Sequence, residues 1–194
     1  MVGVPSLVYV GNQGFEILTP GDDEPHVDPA AGPGADRART FLAGLKTSKF
    51  AELGVRREDK GPIQVLHWRG APDEAKAKEL VEEIATMASQ AGLIPLWGRK
   101  VLDLRPVAGI DKGSAVHRLL VDRAPLDAAI FAGDDRTDLD AFRAIDRLAG
   151  SSHLGAAVRL GVSTPESPPE IEAEADMVVS GTPEVLEVLK ALGA

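Results

Sequence analysis

The chain has 194 residues, of which 44% are hydrophobic and 26% are charged, and its formal net charge is −9. This composition is typical of a globular protein with one good-sized domain or two small ones. The negative charge argues against non-specific nucleic-acid binding, although a local cluster of cations can still hold a small phosphate. No apolar run approaches the roughly 20 residues that span a bilayer, so no membrane segment is expected. Cysteine is absent, which excludes disulfide bonds and thiolate metal sites and fits a cytoplasmic location.

The first hundred residues predict a short hairpin followed by a small α+β domain. Apolar stretches 7–10 and 15–18 flank a Gly/Asn turn and are predicted strands, whereas 19–35 is rich in Pro, Gly and Asp and is predicted to be a loop. The α+β domain is predicted to contain a helix over 38–50, a strand over 63–68, an amphipathic helix over 71–91 and a hairpin of strands 94–97 and 101–104.

From residue 111 onward, helices alternate with continuous apolar strands. The predicted helices are 114–121, 137–148 and 183–192, and the predicted strands are 128–132, 156–160 and 177–179. Such alternation is typical of a parallel β-sheet covered by helices on both faces.

A cluster of carboxylates follows the first of these strands. The strand ends at Gly133, and Asp134, Asp135 and Asp138 come directly after it. Ligands of open α/β sheets collect at the carboxyl ends of strands, and hard oxygen donors there suit Mg²⁺. Asp134 and Asp138 are four residues apart, so they can share one face of a helix. The alternative, that Asp135 or Thr137 caps the helix, explains one acidic residue but not three in five positions.

A lysine opens the helix before that strand. Lys112 follows Asp111 and precedes Gly113 at a predicted helix N-terminus, where the helix dipole disfavours a cation. An anionic partner, either a phosphate or a carboxylate, would offset this cost. A solvated surface lysine is the alternative when the motif is taken alone, and the aspartate cluster one strand later favours the functional interpretation.

These two motifs resemble the third and fourth motifs of the haloacid dehalogenase superfamily. The run 133–142 is similar to the form found in the trehalose-6-phosphate phosphatase family, and stretches 11–16, 58–61, 66–69 and 101–106 resemble that family in the same order. The sequence departs from the family pattern at three positions: Gln13 replaces a usual histidine, and Asp103 and Leu139 each replace a usual glutamate.

The resemblance implies an α/β fold with two parts. A partial Rossmann-like haloacid dehalogenase core with a parallel sheet would comprise residues 1–33 and 106–194, and a small α+β cap domain would comprise 34–105. The implied activity is the Mg²⁺-dependent hydrolysis of the sugar phosphate trehalose 6-phosphate to trehalose and phosphate, in trehalose biosynthesis.

The resemblance also implies roles for individual residues. Lys112 and Asp134 would be catalytic, and Asp134 and Asp138 would hold Mg²⁺. The substrate-binding residues would be Asn12, Gln13, Glu58, Lys60, Asp103 and Arg105. For the last four, the alternative is a set of exposed cross-strand charge pairs, each worth about 0.2–1 kcal/mol. His67, on a predicted strand, is interpreted as structural.

The superfamily's nucleophile is an aspartate in an Asp-x-Asp-Gly motif, and this sequence contains no such motif. The chain is therefore expected to be an N-terminally truncated form that does not turn over substrate and that self-associates through an incomplete sheet edge. Two alternatives remain open. One is a phosphatase for another sugar phosphate, such as that of glucosylglycerol or mannosylglycerate. The other is a non-catalytic remnant that acts as a regulatory or interaction module.

Overall fold

The computed structural model describes residues 3–46, 48–106 and 109–193. The chain divides into two compact units, Met1–Ala108 and Gly109–Ala194. Their boundary lies close to the predicted end of the cap at residue 105, and the assignment of 1–33 to the core stays a prediction. None of the helices in the described ranges combines the length and the apolar character that crossing a bilayer requires.

The first unit opens with the predicted hairpin. Strands β1 (Tyr9–Gly11) and β2 (Glu16–Leu18) pair in antiparallel fashion around a short 3-10 turn, Asn12–Gly14. The prediction of a loop over 19–35 is wrong in part, because a two-residue strand, β3 (His26–Val27), pairs with β2 and a helix begins within the range. A pair of exposed strand residues carries no periodic signal, and a Pro in the first helical turn resembles a loop in sequence.

The predicted helix over 38–50 is wrong in its continuity. Helix α1 (Gly32–Ala43) ends at the C-cap residue Gly44, and a separate helix, α2 (Ser48–Leu53), follows. Both helices bury apolar residues in one core, so the apolar pattern continues across the break. Gly44 favours the stop because glycine is a poor helix former.

The remaining elements of the first unit form a four-stranded antiparallel sheet with a long helix. The sheet order is β4-β5-β7-β6. The elements are β4 (Arg56–Lys60), β5 (Ile63–His67), α3 (Glu74–Gln90), β6 (Leu93–Gly98) and β7 (Val101–Pro106). These bounds confirm the predicted strand at 63–68, the helix at 71–91 and the hairpin.

The core of this unit lies between the sheet and its helices. Leu66, Leu102 and Leu104 are fully buried and pack with Leu42 of α1 and Ile84 of α3. Because side chains alternate along a strand, the neighbouring positions lie on the opposite face of the sheet. That second face carries Glu58 and Lys60 of β4 and Asp103 and Arg105 of β7.

The second unit contains the predicted parallel sheet, in the order β10-β9-β8. Its strands are β8 (Leu126–Gly133), β9 (Leu154–Ser163) and β10 (Met177–Ser180), and its helices are α4 (Lys112–Val121), α5 (Asp138–Ala149), α6 (Pro169–Glu174) and α7 (Gly181–Leu192). The α/β architecture is thereby confirmed, with α6 as an element that the sequence pattern did not predict.

Helix α5 supplies much of the core of the second unit. Its residues Phe142 and Ile145 are buried, and Phe142 meets Phe131 of β8 edge-to-face, with 6.0 Å between the ring centroids. Strand β8 is covered on one face only, because Ala128 and Ile130 are exposed. The prediction that both faces are covered is therefore wrong for this strand, which lies at the edge of the sheet in the described part of the unit.

Candidate functional site

The aspartate cluster begins where β8 ends, and Gly133 determines its geometry. A Cβ atom at Gly133 would lie 2.3 Å from the Cβ and 2.8 Å from Oδ2 of Asp138. No larger residue fits without displacing that aspartate. The glycine therefore lets the first turn of α5 approach the end of the strand.

Asp138 is buried and occupied on both of its carboxylate oxygens. Its Oδ2 accepts the backbone N–H groups of Asp134 and Asp135 at 3.0 Å each. Its Oδ1 accepts the ammonium of Lys112 at 2.6 Å. With only 5% of the residue exposed, the carboxylate links the loop after β8 to the start of α4.

The start of α4 brings Lys112 to this carboxylate. Asp111 caps the helix: its side chain accepts the N–H of Ser114 at 2.7 Å, and the Ser114 hydroxyl accepts the N–H of Asp111 at 2.9 Å. Gly113 is buried against α5, where an added Cβ would lie 2.4 Å from the Asp140 carbonyl oxygen. The anionic partner expected for Lys112 is thus present in the chain. It is the carboxylate of Asp138, and the carboxylate of Asp135 lies 3.5 Å from the same ammonium.

Asp135 stabilises the turn that leads into α5, whose N-cap residue is Thr137 and makes no side-chain capping hydrogen bond. Its Oδ1 accepts the N–H and the hydroxyl of Thr137, at 2.7 and 2.6 Å, and the N–H of Asp138 at 3.1 Å. Burial raises the pKa of Asp135, but the Thr137 hydroxyl, the Lys112 charge and the backbone N–H groups outweigh burial and hold the pKa below its ordinary value. Asp135 therefore accepts an N–H of the first turn of α5 without occupying the N-cap position.

Asp134 differs from its two neighbours. Its carboxylate is exposed, and within residues 3–46, 48–106 and 109–193 it has no hydrogen-bond or ion-pair partner. The same residues contain no group of three or more His, Cys, Asp or Glu side chains that could hold a metal ion. One available carboxylate fits Mg²⁺, which commonly keeps several waters and binds one or two carboxylates plus substrate phosphate oxygens.

A second group of functional candidates lies on one face of the sheet in the first unit. Glu58 of β4 pairs in register with Val65 of β5, and Val65 with Asp103 of β7, so the two carboxylates share a face. We call this group the charged face. It comprises Glu58, Lys60, His67, Asp103 and Arg105.

Glu58 contacts two other residues of the charged face. Its Oε2 is 2.8 Å from His67 Nε2 and 3.8 Å from Lys60 Nζ. The interpretation of His67 as structural did not predict this contact, which is compatible with it. The diagonal register between β4 and β5 could have indicated it, because diagonal neighbours on a sheet are within reach of long side chains.

Asp103 is the partly buried acid of the charged face. Burial raises its pKa, and the charges of Arg105, Lys60 and His67 oppose that effect without cancelling it. The Arg105 guanidinium is 3.9 Å from the Asp103 carboxylate, and Arg105 is 8% exposed. The two residues are therefore a desolvated pair, unlike the exposed surface pairs of the alternative interpretation.

Asn12 and Gln13 form a strained turn in the first unit. Both have left-handed backbone angles, with φ of 48° and 62°, a conformation that costs a non-glycine residue energy. The Asn12 side-chain amide donates to Glu16 Oε2 at 2.7 Å and to the Lys60 carbonyl at 2.9 Å, which ties this turn to the end of β4. Gln13 Oε1 is buried and lacks a hydrogen-bond partner among the described residues.

Comparison with known proteins places the fold among the haloacid dehalogenase-like proteins. A family model described as trehalose-phosphatase matches residues 1–178. The chain belongs to the trehalose-phosphatase family.

Individual relatives agree with this assignment. A trehalose-phosphate phosphatase of Mycobacterium marinum is 35% identical over 153 residues, which are 74% of this chain and 37% of that protein. The crystal structure of a trehalose-6-phosphate phosphatase related protein has a TM-score of 0.62 at 24% identity and covers 93% of this chain and 69% of its own. The C-terminal domain of a Candida albicans trehalose-6-phosphate phosphatase has a TM-score of 0.67 at 20% identity. The match covers 93% of this chain and 68% of that structure. The chain thus spans little more than a third of the length of the mycobacterial relative.

Proposed function

We propose that the chain serves in the hydrolysis of trehalose 6-phosphate to trehalose and phosphate. The observation that carries this proposal is the arrangement after β8, where Asp138 holds the Lys112 ammonium at 2.6 Å and the Asp134 carboxylate is exposed and has no partner in the described residues. Asp138 links the two residues, because one of its oxygens accepts from Lys112 and the other accepts the backbone N–H of Asp134. A fixed cation together with a carboxylate that can bind metal suits a phosphoryl group.

In this proposal Lys112 binds the anionic oxygens of the phosphoryl group. An ammonium has three donors, and Lys112 directs one to Asp138 and a longer one to Asp135. Because Asp138 is fixed by two backbone amides, Lys112 is positioned before substrate arrives, and little reorganisation is needed when charge develops.

Asp134 is the proposed ligand of Mg²⁺, and when bound the ion would neutralise phosphoryl oxygens. Direct coordination of Mg²⁺ by Asp138 stays a prediction. In the structure the two oxygens of Asp138 accept three hydrogen bonds from the chain itself. Its proposed contribution is to position Lys112 and the loop that carries Asp134.

The charged face is proposed to bind the sugar. Glu58 and Asp103 offer acceptors to hydroxyl groups, while Lys60 and Arg105 offer donors. Asn12 and Gln13 would add amide contacts near the end of β4. The desolvation of Asp103 and Arg105 supports this role, because hydrogen bonds strengthen where water is excluded.

The sequence contains no Asp-x-Asp-Gly motif, so we propose that these 194 residues bind and orient the substrate without supplying the attacking carboxylate. The purified chain is then expected to release no phosphate from trehalose 6-phosphate with Mg²⁺. Addition of a strand that carries Asp-x-Asp-Gly is expected to restore release. We also propose a cytoplasmic location. Self-association through the β8 edge is a separate proposal, which sedimentation at several protein concentrations would check.

Calorimetric titration tests the binding part of the proposal. Trehalose 6-phosphate should bind in the presence of Mg²⁺, and Asp134→Asn should weaken that binding about tenfold or more while leaving Mg²⁺-free binding nearly unchanged. Asp127→Asn is the matched control, because Asp127 lies near the other end of β8. This variant should bind trehalose 6-phosphate with the affinity of the unmodified chain. Equal Mg²⁺ dependence in all three proteins would refute the role of Asp134. Tighter binding of another sugar phosphate would change the substrate assignment alone.

A further inference from the structure

We infer that the first unit has a second carbohydrate site, which binds a neutral sugar of one or two hexose rings. The site is a cleft of about 580 Å³ between α3 and the β6–β7 hairpin. We call it the tryptophan cleft, and the residues used here are Trp68, Glu74, Lys78, Glu82, Trp97 and Lys100. It contains no residue of the charged face, and the inference does not depend on the proposed phosphatase activity.

An exposed indole ring forms one wall of the tryptophan cleft. Trp97 is 43% exposed, although tryptophan is usually well buried. It is held edge-to-face against Trp68, which is 5% exposed, with ring centroids 6.0 Å apart and an interplanar angle of 77°. The face of an aromatic ring is electron-rich and attracts the C–H edges of an apolar surface, which a pyranose ring presents on one side.

The charges at the rim of the cleft cancel in pairs. Lys100 meets Glu74 at 2.5 Å, and Lys78 meets Glu82 at 3.0 Å. Because each cation already has an anion, an incoming phosphate would encounter two carboxylates as well as two ammonium groups. A neutral, hydroxyl-rich ligand can instead donate to the carboxylates and accept from the ammonium groups, the pattern typical of small-molecule sites with an aromatic wall.

The cleft is held in shape before any ligand arrives. Lys100 has a left-handed backbone angle, φ 58°, in the turn of the hairpin, and its carbonyl accepts the N–H of Trp68 at 3.2 Å. The hydrogen bond from Lys100, followed by that from the N–H of Gly70, lowers the pKa of Glu74 and keeps it an ionised acceptor. A preformed site loses less conformational entropy on binding.

Intrinsic fluorescence reads this cleft directly, because Trp68 and Trp97 are the two tryptophans of the sequence. Titration with trehalose and with maltose should give a saturable change in emission, with dissociation constants in the millimolar range, about 1–10 mM. By calorimetry, Trp97→Ala should weaken binding about tenfold, whereas Trp97→Phe, which retains an aromatic face, should stay within about threefold. A loss of the same size in both variants would overturn the stacking role.

A pair of adjacent glutamates provides a matched control. Glu82→Gln, in the cleft, should weaken sugar binding several-fold, whereas Glu83→Gln should not, because Glu83 lines a different cavity between α2 and α3. Equal effects of the two variants, or no saturable signal up to about 50 mM sugar, would refute the site.

The charged face is excluded as the source of the signal by a separate variant. Glu58→Gln should weaken the fluorescence-detected binding of trehalose less than Glu82→Gln does. A larger loss in Glu58→Gln would assign the signal to the charged face and overturn the inference. In a Lys112→Ala variant titrated without Mg²⁺, which removes the proposed phosphate contact, trehalose 6-phosphate should change the tryptophan emission at no lower concentration than trehalose. A response at a lower concentration would refute the preference for a neutral ligand. Failure of the phosphatase proposal would appear instead in the Mg²⁺-dependent titrations of Asp134→Asn.

Discussion

Gly133→Ala should destabilise the second unit more than any ordinary surface substitution. The new Cβ would lie 2.3 Å from the Cβ, 2.6 Å from the Cγ and 2.8 Å from the Oδ2 of Asp138. These atoms belong to the short, buried end of a side chain rather than to a flexible tip. Either the strand end or the first turn of α5 must therefore move.

The cost has two parts. Overpacking of a close contact typically costs about 1–3 kcal/mol. Displacement of Asp138 also weakens its hydrogen bonds from the backbone of Asp134 and Asp135 and from Lys112, and a hydrogen bond to a charged group contributes about 1.5–3 kcal/mol. Since relaxation recovers part of both, we expect a loss of about 2–4 kcal/mol in the free energy of unfolding.

Urea denaturation followed by far-UV circular dichroism measures this loss. Gly150→Ala is the control, because Gly150 has φ of −74° and an added Cβ would meet its neighbours at 3.6 Å or more. That variant should be neutral or up to about 1 kcal/mol more stable, since alanine has fewer unfolded conformations. A loss below about 0.5 kcal/mol for Gly133→Ala would show that the strand end accommodates a side chain and would refute this account of the glycine.

Three further substitutions test the electrostatics and packing. Two hydrogen bonds from the Arg159 side chain, with one from its backbone N–H, lower the pKa of Asp176 to about 2. The stabilisation that Asp176 provides should therefore be present above its ordinary pKa and disappear as pH falls through about 2. At neutral pH, Asp176→Asn should cost less than about 1 kcal/mol, because the pair is partly exposed. Near pH 2 the melting temperatures of the variant and the unmodified chain should converge. Burial raises the pKa of Asp103, so the folded chain binds this proton more readily and its stability falls as pH rises through the raised pKa. Asp103→Asn should therefore have a higher melting temperature than the unmodified chain at neutral pH and the same one in acid. A lower melting temperature at neutral pH would contradict the argument. Gly113→Ala should lower the melting temperature, because its Cβ would lie 2.4 Å from the Asp140 carbonyl oxygen, and an unchanged melt would show that α4 and α5 can separate without cost.

The sequence predicted most of the fold where periodicity and apolar content agree. The parallel strands from residue 126 onward and the long helix α3 fall close to their expected bounds. The prediction was wrong where backbone hydrogen bonds without a side-chain pattern decide the structure. Strand β3 has two exposed residues. The break between α1 and α2 follows the C-cap residue Gly44 and is not visible in the apolar spacing.

The site was predicted to a different depth at each residue. The expected anionic partner of Lys112 is a carboxylate of the chain. The capping alternative is met only in part, because Asp135 accepts an N–H of the first turn of α5 while Thr137 holds the N-cap position. The contact between His67 and Glu58 was missed, because strand register cannot be read from one strand in isolation. The assignments to the substrate all stay predictions, for Asn12, Gln13, Glu58, Lys60, Asp103 and Arg105.

The aspartates after β8 divide by what their oxygens already bind, and this division separates folding from function. Asp138 and Asp135 accept backbone amides and a lysine or threonine, so their loss should unfold or distort the loop. Asp134 accepts no hydrogen bond within the described part of the chain and is exposed, so its conversion to asparagine removes a charge at almost no cost in packing. Because the fold does not require this carboxylate, Asp134→Asn tests the proposed metal role with little effect on stability: the urea midpoint should stay unchanged, and a clear loss of stability would show that Asp134 serves the fold instead.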